Sequence, residues 1–294
     1  MKKLRSLVLP ALLGLFVVEP SLAAEPAAPV LDVKVYNADG NSFHVNSVLL
    51  TGKTDAVLID AQFTRADAHR LVAEILASGK KLKAVYISHG DPDYYFGLEV
   101  IKQEFPDVKV YASAPTVAWI KSTVDKKVAF WGPKMGANAP KSPVIPEVLP
   151  GNSLDLEGNK LDVIGLDGDL PQRTFVWVPA IKAVVGGVNV FGGLHLWMAD
   201  SQTKAQRAAW SKTLDRIAAL HPAIVVPGHA AAGTPRDISQ VKYSQEYLQA
   251  YEQALDKAAS AADVIAAMKQ KYPNAQLGIA LDIGAKVNKG EMKW

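Results

Sequence analysis

The sequence predicts an α/β protein in which two β-sheets pack together with helices outside. Three observations carry that expectation. Short apolar runs rich in Val, Ile and Tyr alternate with stretches whose apolar residues recur at helical spacing. The alternation occurs in two halves, on either side of a Pro/Gly-rich crossing, WGPKMGANAPKSPVIPEVLPG (131–151). Each half ends a strand on polar, chemistry-bearing residues. Because the same pattern resumes beyond the crossing, the two halves read as one fold rather than two independent domains.

Taken in order, Lys2, Lys3 and Arg5 precede an apolar run at 7–18, and Ser21-Leu22-Ala23 gives a small-x-small cleavage signature. Residues 1–23 are therefore expected to be a signal peptide, with a single mature domain over 24–294 that is periplasmic or secreted. EPAAPVL (25–31) reads as a loose start, followed by strands VKVY (33–36), FHVNSVLLTG (43–52) and AVLIDA (56–61). The first helix spans 64–80. Thr64 is its N-cap, Ala68, Leu71, Val72, Ile75 and Leu76 form its apolar stripe, and Gly79 ends it. Strand KAVYIS (83–88), helix LEVIKQEF (98–105), strand VKVYAS (108–113) and a helix over 115–131 complete the first half. Strands LDVIGL, TFVWVP, AVVGGVNVF and AIVVP make up the second half, with a helix at 203–220 before the last of them. Two helices are expected over 238–272, the second opening on Ser260 and Asp263 as a capping box.

Composition excludes several classes. Cysteine is absent, which removes disulfides, thiolate nucleophiles and cysteine metal ligands. The formal charge of +3 falls to +1 once residues 1–23 are removed with their three basic residues and Glu19. A near-neutral mature chain carries no electrostatic footprint for nucleic acid or an anionic membrane.

The candidate chemistry begins at SHGDPDYYFG (88–97). His89, Asp91 and Asp93 alternate, so an extended backbone would point all three to one side, and Pro92 pushes Asp91 towards extended geometry. Two readings stand for this stretch: a divalent-metal cluster at a strand end, or an acidic turn capping the helix at Leu98. His229 in IVVPGHA ends another apolar strand, and Asp169 in LDGDLPQRT lies at a third strand-to-loop junction.

With these elements in order, nearly all the mature sequence resembles the metallo-β-lactamase superfamily, whose metal motif is H-x-H-x-D-H. The motif stands here as His89-Gly90-Asp91-Pro92-Asp93-Tyr94, with Gly97 beyond. The resemblance implies a four-layer αββα sandwich of two mixed sheets with outer helices. It places Asp60 as an early structural aspartate, Asp169 where a ligand histidine belongs, Gly187 where a bridging aspartate belongs, and His229 as the final histidine. The implied metal ligands are His89, Asp91, Asp93, Asp169 and His229, holding one divalent ion, zinc, manganese or iron, more readily than two. The implied activity is metal-activated hydrolysis of an ester, lactone, amide or β-lactam-like bond, with Asp93 and Tyr94 as catalytic groups. Asn189, His195 and Asp200 are candidates to compensate for the vacant position, and Trp119, Trp131 and Trp197 to line a groove. Because Tyr94 and Gly187 replace ligands, the alternative is a binding or sensor protein that keeps the fold with a degenerate metal site. A phosphatase-type aspartyl nucleophile does not fit DPD here, because Ser-His-Gly separates the strand from Asp91 and Tyr94 follows Asp93.

Overall fold

A computed structural model describes residues 31–294. The expected signal segment, 1–23, lies outside the described residues. Six strands form one mixed sheet in chain order: β1 (Asp32–Asn37), β2 (Asn46–Thr51), β3 (Asp55–Ile59), β4 (Lys81–Ile87), β5 (Lys109–Ala112) and β6 (Glu147–Val148). The first three run antiparallel and the rest parallel. A second sheet contains β7 (Ser153–Leu156), β8 (Asn159–Ile164), β9 (Phe175–Val178) and β10 (Ala183–Val185). The short β11 (Phe191–Gly192) lies outside it, β12 (Ile224–Val225) joins it beside β10, and β13 (His229–Ala230) pairs with β11. This is the expected sandwich of two mixed sheets.

The burial pattern explains the layering. Every residue of β2 is buried, as in a strand covered on both faces. Val48 and Leu50 of β2, Val57 and Ile59 of β3, and Tyr86 of β4 pack with Val163, Val176, Val178 and Val185 of the second sheet. The alternate residues Leu49, Leu58, Val85 and Ile87 face the helix side, with Ala68, Leu71 and Ile75. Residues of both halves thus share one core between the sheets.

The helices are α1 (Arg65–Ser78), the single turn α2 (Pro92–Tyr95), α3 (Leu98–Glu104), α4 (Ala114–Met135), α5 (Lys204–Ala219), α6 (Ser239–Lys257), α7 (Ala261–Lys271) and α8 (Gly278–Asn288). Thr64 caps α1 by accepting from the Asp67 N–H, and Gly79 closes it in the left-handed region at φ 65°. Ser260 and Asp263 form the expected capping box of α7. α8 was not expected; it starts after Leu277 at φ 61° with no side-chain cap, so its start carries no cap signal in the sequence. Among the described residues no helix is long and apolar enough to cross a membrane.

Candidate functional site

The ends of β3, β4 and β10 are tied together beneath the site. Asp60 follows β3, and its carboxylate accepts from the Ser88 N–H at 2.8 Å and the Ser88 hydroxyl at 2.7 Å. The Ser88 hydroxyl oxygen in turn accepts from the Gly187 N–H at 2.7 Å. Burial pushes Asp60 up to about 7, against the pull of its two bonds from Ser88. Asp60 therefore has the structural role the resemblance implied. Gly187 sits at φ 81°, and a Cβ there would lie 2.2 Å from the Thr174 carbonyl oxygen. No carboxylate can stand at that position without moving the backbone.

From this seam the chain enters the floor of the site. His89 is buried just beyond β4. Asp91 keeps the extended backbone expected before a proline, at φ −86° and ψ 152°, but Pro92 then begins α2. The expectation of one extended run through Asp93 is thus corrected: Asp93 and Tyr94 ride on a helical turn. The alternative of an acidic turn capping the helix at Leu98 is not realised either, since Gly97 stands at the N-cap of that helix with no side-chain cap bond. His229 opens β13 and is fixed by its Nδ1–H donating to the Phe43 carbonyl at 2.9 Å and by the Phe191 ring stacked on it. Gly97, at the start of α3, is required because a Cβ would lie 1.9 Å from the Ala61 carbonyl oxygen.

Four of the five expected ligands meet here, as two pairs. His89 Nε2 lies 3.1 Å from Asp91 Oδ2, and His229 Nε2 lies 3.4 Å from Asp93 Oδ2. The Tyr94 ring stands between the histidines, edge-on to both at 5.3 and 5.6 Å. Its hydroxyl is turned onto the Gly187 carbonyl at 3.5 Å, and burial raises it far above the ordinary phenol range. In this arrangement Tyr94 packs between the two histidines, with its hydroxyl directed away from them onto the Gly187 carbonyl.

Asp169, the fifth expected ligand, is a surface residue; its side chain is 68 % exposed and pairs with Lys212 at 3.4 Å. From the same loop the fold turns Arg173 inward instead, 4 % exposed, with its guanidinium 4.8 Å over the Trp210 ring. A second cation, Lys127 of α4, forms an ion pair with Asp91 Oδ1 and donates to the Gly90 carbonyl at 3.1 Å. Burial alone would raise Asp91, but Lys127 and His89 outweigh it and hold this carboxyl well below the usual range. Asp93 goes the other way: burial and the neighbouring Asp91 charge push it well above, favouring the neutral acid. Burial lowers His229 to about 4, keeping it neutral.

Of the compensating candidates, Asp200 reaches the site, where it accepts from Trp294 Nε1 at 2.7 Å. His195 is a core residue with Nδ1 2.9 Å from the Tyr247 hydroxyl, and the Asn189 amide donates to the Arg173 carbonyl at 3.3 Å. Above the floor opens a cavity of about 820 Å³. Its walls include Trp119, Trp131 and Trp197, as expected, with Phe43, Phe191 and Trp294. That volume suits a small organic molecule.

A resident metal is the general expectation for such a floor, but this donor set does not fit one. Among the described residues no group of three or more His, Asp or Glu side chains is arranged to hold an ion. Both Asp91 oxygens are engaged, one by the Lys127 ammonium and one by the His89 ring. Both His89 nitrogens face oxygen acceptors, since Nδ1 lies 3.4 Å from the Gln172 carbonyl. Arg173 adds a second fixed positive charge where the sequence had suggested a third ligand. Lys127 and Arg173 were not singled out from the sequence. The segment holding Arg173 was found, but the site-facing position was placed at Asp169.

Comparison with known proteins agrees with the architecture. The family model described as the metallo-beta-lactamase superfamily matches residues 40–229. Among solved structures, a metallo-beta-lactamase family protein from Thermus thermophilus superposes with TM-score 0.58 at 17 % identity, covering 89 % of this chain and 93 % of that one. A metallo-beta-lactamase from Pontibacter korlensis gives TM-score 0.51 at 18 % identity, covering 77 % and 97 %. These identities establish likeness of fold alone. No curated protein matches the sequence.

Proposed function

We propose that this chain, which belongs to the metallo-β-lactamase superfamily, is an exported small-molecule-binding protein whose site works without a resident metal. The carrying observation is that Lys127 and Arg173 supply, from the chain itself, positive charge beside Asp91. Proteins of this fold usually bind divalent metals such as zinc, and a metal there would meet two fixed cations and a carboxylate already paired with one of them, Lys127. The aromatic walls offer apolar area and flat faces for a ligand, and the buried floor offers few but strongly directed polar groups. Export rests on the basic and apolar run at the N-terminus.

One observation favours the hydrolytic reading expected from the sequence. Asp93 and His229 remain adjacent on the cavity floor, their side chains 10 % and 6 % exposed. A hydrolase of esters, lactones, amides or β-lactam-like bonds would need that pair to act on a substrate held above it. Elemental mass spectrometry of the purified protein, before and after reconstitution with zinc, manganese and iron(II), separates the two. The expected result is no stoichiometric metal, with the melting temperature unchanged by a chelator. A stoichiometric ion that is lost in Asp91→Ala would overturn the metal-free reading and return the chain to the hydrolases.

A further inference from the structure

The Arg173 guanidinium is a buried cation with no hydrogen-bonded partner among the described residues. No hydrogen bond or ion pair to it forms among the described residues, and Nη1 is fully enclosed and unpaired. Burial depresses its basicity, but a guanidinium stays charged in a protein. The carboxylates whose charge acts on it, Asp200 and Asp91, make no hydrogen bond to it: Asp91 is held by Lys127 and His89, and Asp200 accepts from Trp294 Nε1. A buried charge is normally paired, so an orphan of this kind at a cavity wall marks a place for something the chain does not contain.

We propose that Arg173 is the recognition residue for a carboxylate-bearing ligand, a monocarboxylic acid with an aromatic or branched apolar body, bound in the cavity with its acid group on the guanidinium. This rests on the small-molecule reading above and names the ligand class. The guanidinium fork matches the two oxygens of a carboxylate. The Trp210 face fixes the plane of that fork from behind, 4.8 Å away. The body of the ligand lies against Trp119, Trp131, Trp197 and Phe191. A phosphate or other dianion is disfavoured, because Asp91 and Asp200 lie close enough to Arg173 to act on its charge and would repel a second negative charge. Nor does the floor present a helix N-terminus long enough to serve a phosphate, since α2 is a single turn whose first residue is Pro92.

The test uses the full-length mature protein and a panel of paired probes: aryl- and branched alkyl-carboxylic acids, their primary amides, and the matching phosphonates. Binding is read from quenching of tryptophan fluorescence and by calorimetry, for the wild type, Arg173→Met and Arg173→Lys. In the wild type the best acid should bind roughly thirtyfold more tightly than its amide, as expected for a buried charge-assisted bidentate contact, and more tightly than its phosphonate. In Arg173→Met the acid and amide should converge to within about threefold, while Arg173→Lys retains part of the preference. A purely structural role for Arg173 would weaken acid and amide alike. Equal binding of acid and amide to the wild type, or a preference that survives in Arg173→Met, overturns the assignment of Arg173 and leaves the cavity reading standing. Failure of every acid and every amide to bind the wild type overturns both. Should Arg173→Met not fold, the wild-type acid, amide and phosphonate comparison still decides.

Discussion

Two buried polar regions lie one residue apart in this chain and behave in opposite ways. In the seam, Asp60, Ser88 and Gly187 satisfy one another: two donors of Ser88 meet one carboxylate, and the Gly187 N–H meets the Ser88 hydroxyl. On the floor, starting at His89, charges outnumber the bonds that would settle them. The Arg173 guanidinium has no hydrogen-bonded partner among the described residues, and Asp93 is driven towards its neutral form by burial and by Asp91. Polar groups that close on themselves hold elements in place; polar groups left open at a cavity wall are available to a ligand. The fold is thus fastened at the seam and left reactive at the floor.

The largest expected effect tests whether the two regions can be exchanged. Gly187→Asp would place a carboxylate at the position where the superfamily resemblance suggests a bridging ligand. It should instead abolish folding or cost about 4 kcal/mol or more, because the Cβ clashes with the Thr174 carbonyl at a positive φ. Circular dichroism and urea unfolding check it. A well-folded Gly187→Asp protein would show that the seam is not rigid.

Asp60→Ala should cost about 3 kcal/mol, since it strands the Ser88 N–H in the core and frees the hydroxyl that orients Gly187. The cost should depend on pH. Asp60 is raised from 3.8 to about 7, so its contribution is full below 3.8 and is lost as pH rises through about 7. Urea unfolding of the two proteins on either side of that value should show their difference shrinking on the alkaline side; a difference that grows there would contradict the assignment.

Lys127→Met opens the floor further. It leaves Asp91 as a buried anion with His89 as its hydrogen-bonded neighbour, and should cost about 2 kcal/mol, less than a wholly enclosed pair because both side chains keep 18–20 % exposure. Adding Asp91→Asn should recover most of that loss in a double-mutant cycle. Additive losses would mean that Lys127 and Asp91 are neighbours without being coupled.

The sequence made the helices and strands more legible than the contacts on the floor, for a physical reason. Thr64 with Gly79, Ser260 with Asp263, and the apolar runs of β2 to β4 are local patterns, and each formed an element within the stretch where it was expected. His89, Asp91, Asp93 and His229 were legible as a group because strand ends converge in such a fold. Lys127 and Arg173 were not, since nothing in helix spacing or loop composition says that a lysine eight residues beyond Trp119 turns onto Asp91. In LDGDLPQRT, residue type favoured Asp169, but tertiary packing over Trp210 chose Arg173. The Tyr94 hydroxyl points to Gly187, a direction set by the turn at Pro92 that the motif alone did not give.

The smallest effect comes from a third polar group, which is as fully paired as the seam but lies at the surface. Glu157, in the turn between β7 and β8, accepts from the backbone N–H groups of Lys53, Thr54 and Asp55 at 2.7–2.8 Å, and from the Thr54 hydroxyl at 2.8 Å. Those bonds lower its pKa from 4.5 to about 2. The sign follows: its contribution is present above 4.5 and is lost as pH falls through about 2. Glu157→Gln should therefore melt slightly below the wild type near neutrality, and the two curves should meet in strong acid. Water competes for every one of these bonds, so complete pairing at the surface should matter less than it does in the seam. A Glu157→Gln loss as large as that of Asp60→Ala would show that pairing, and not burial, sets the strength of both regions.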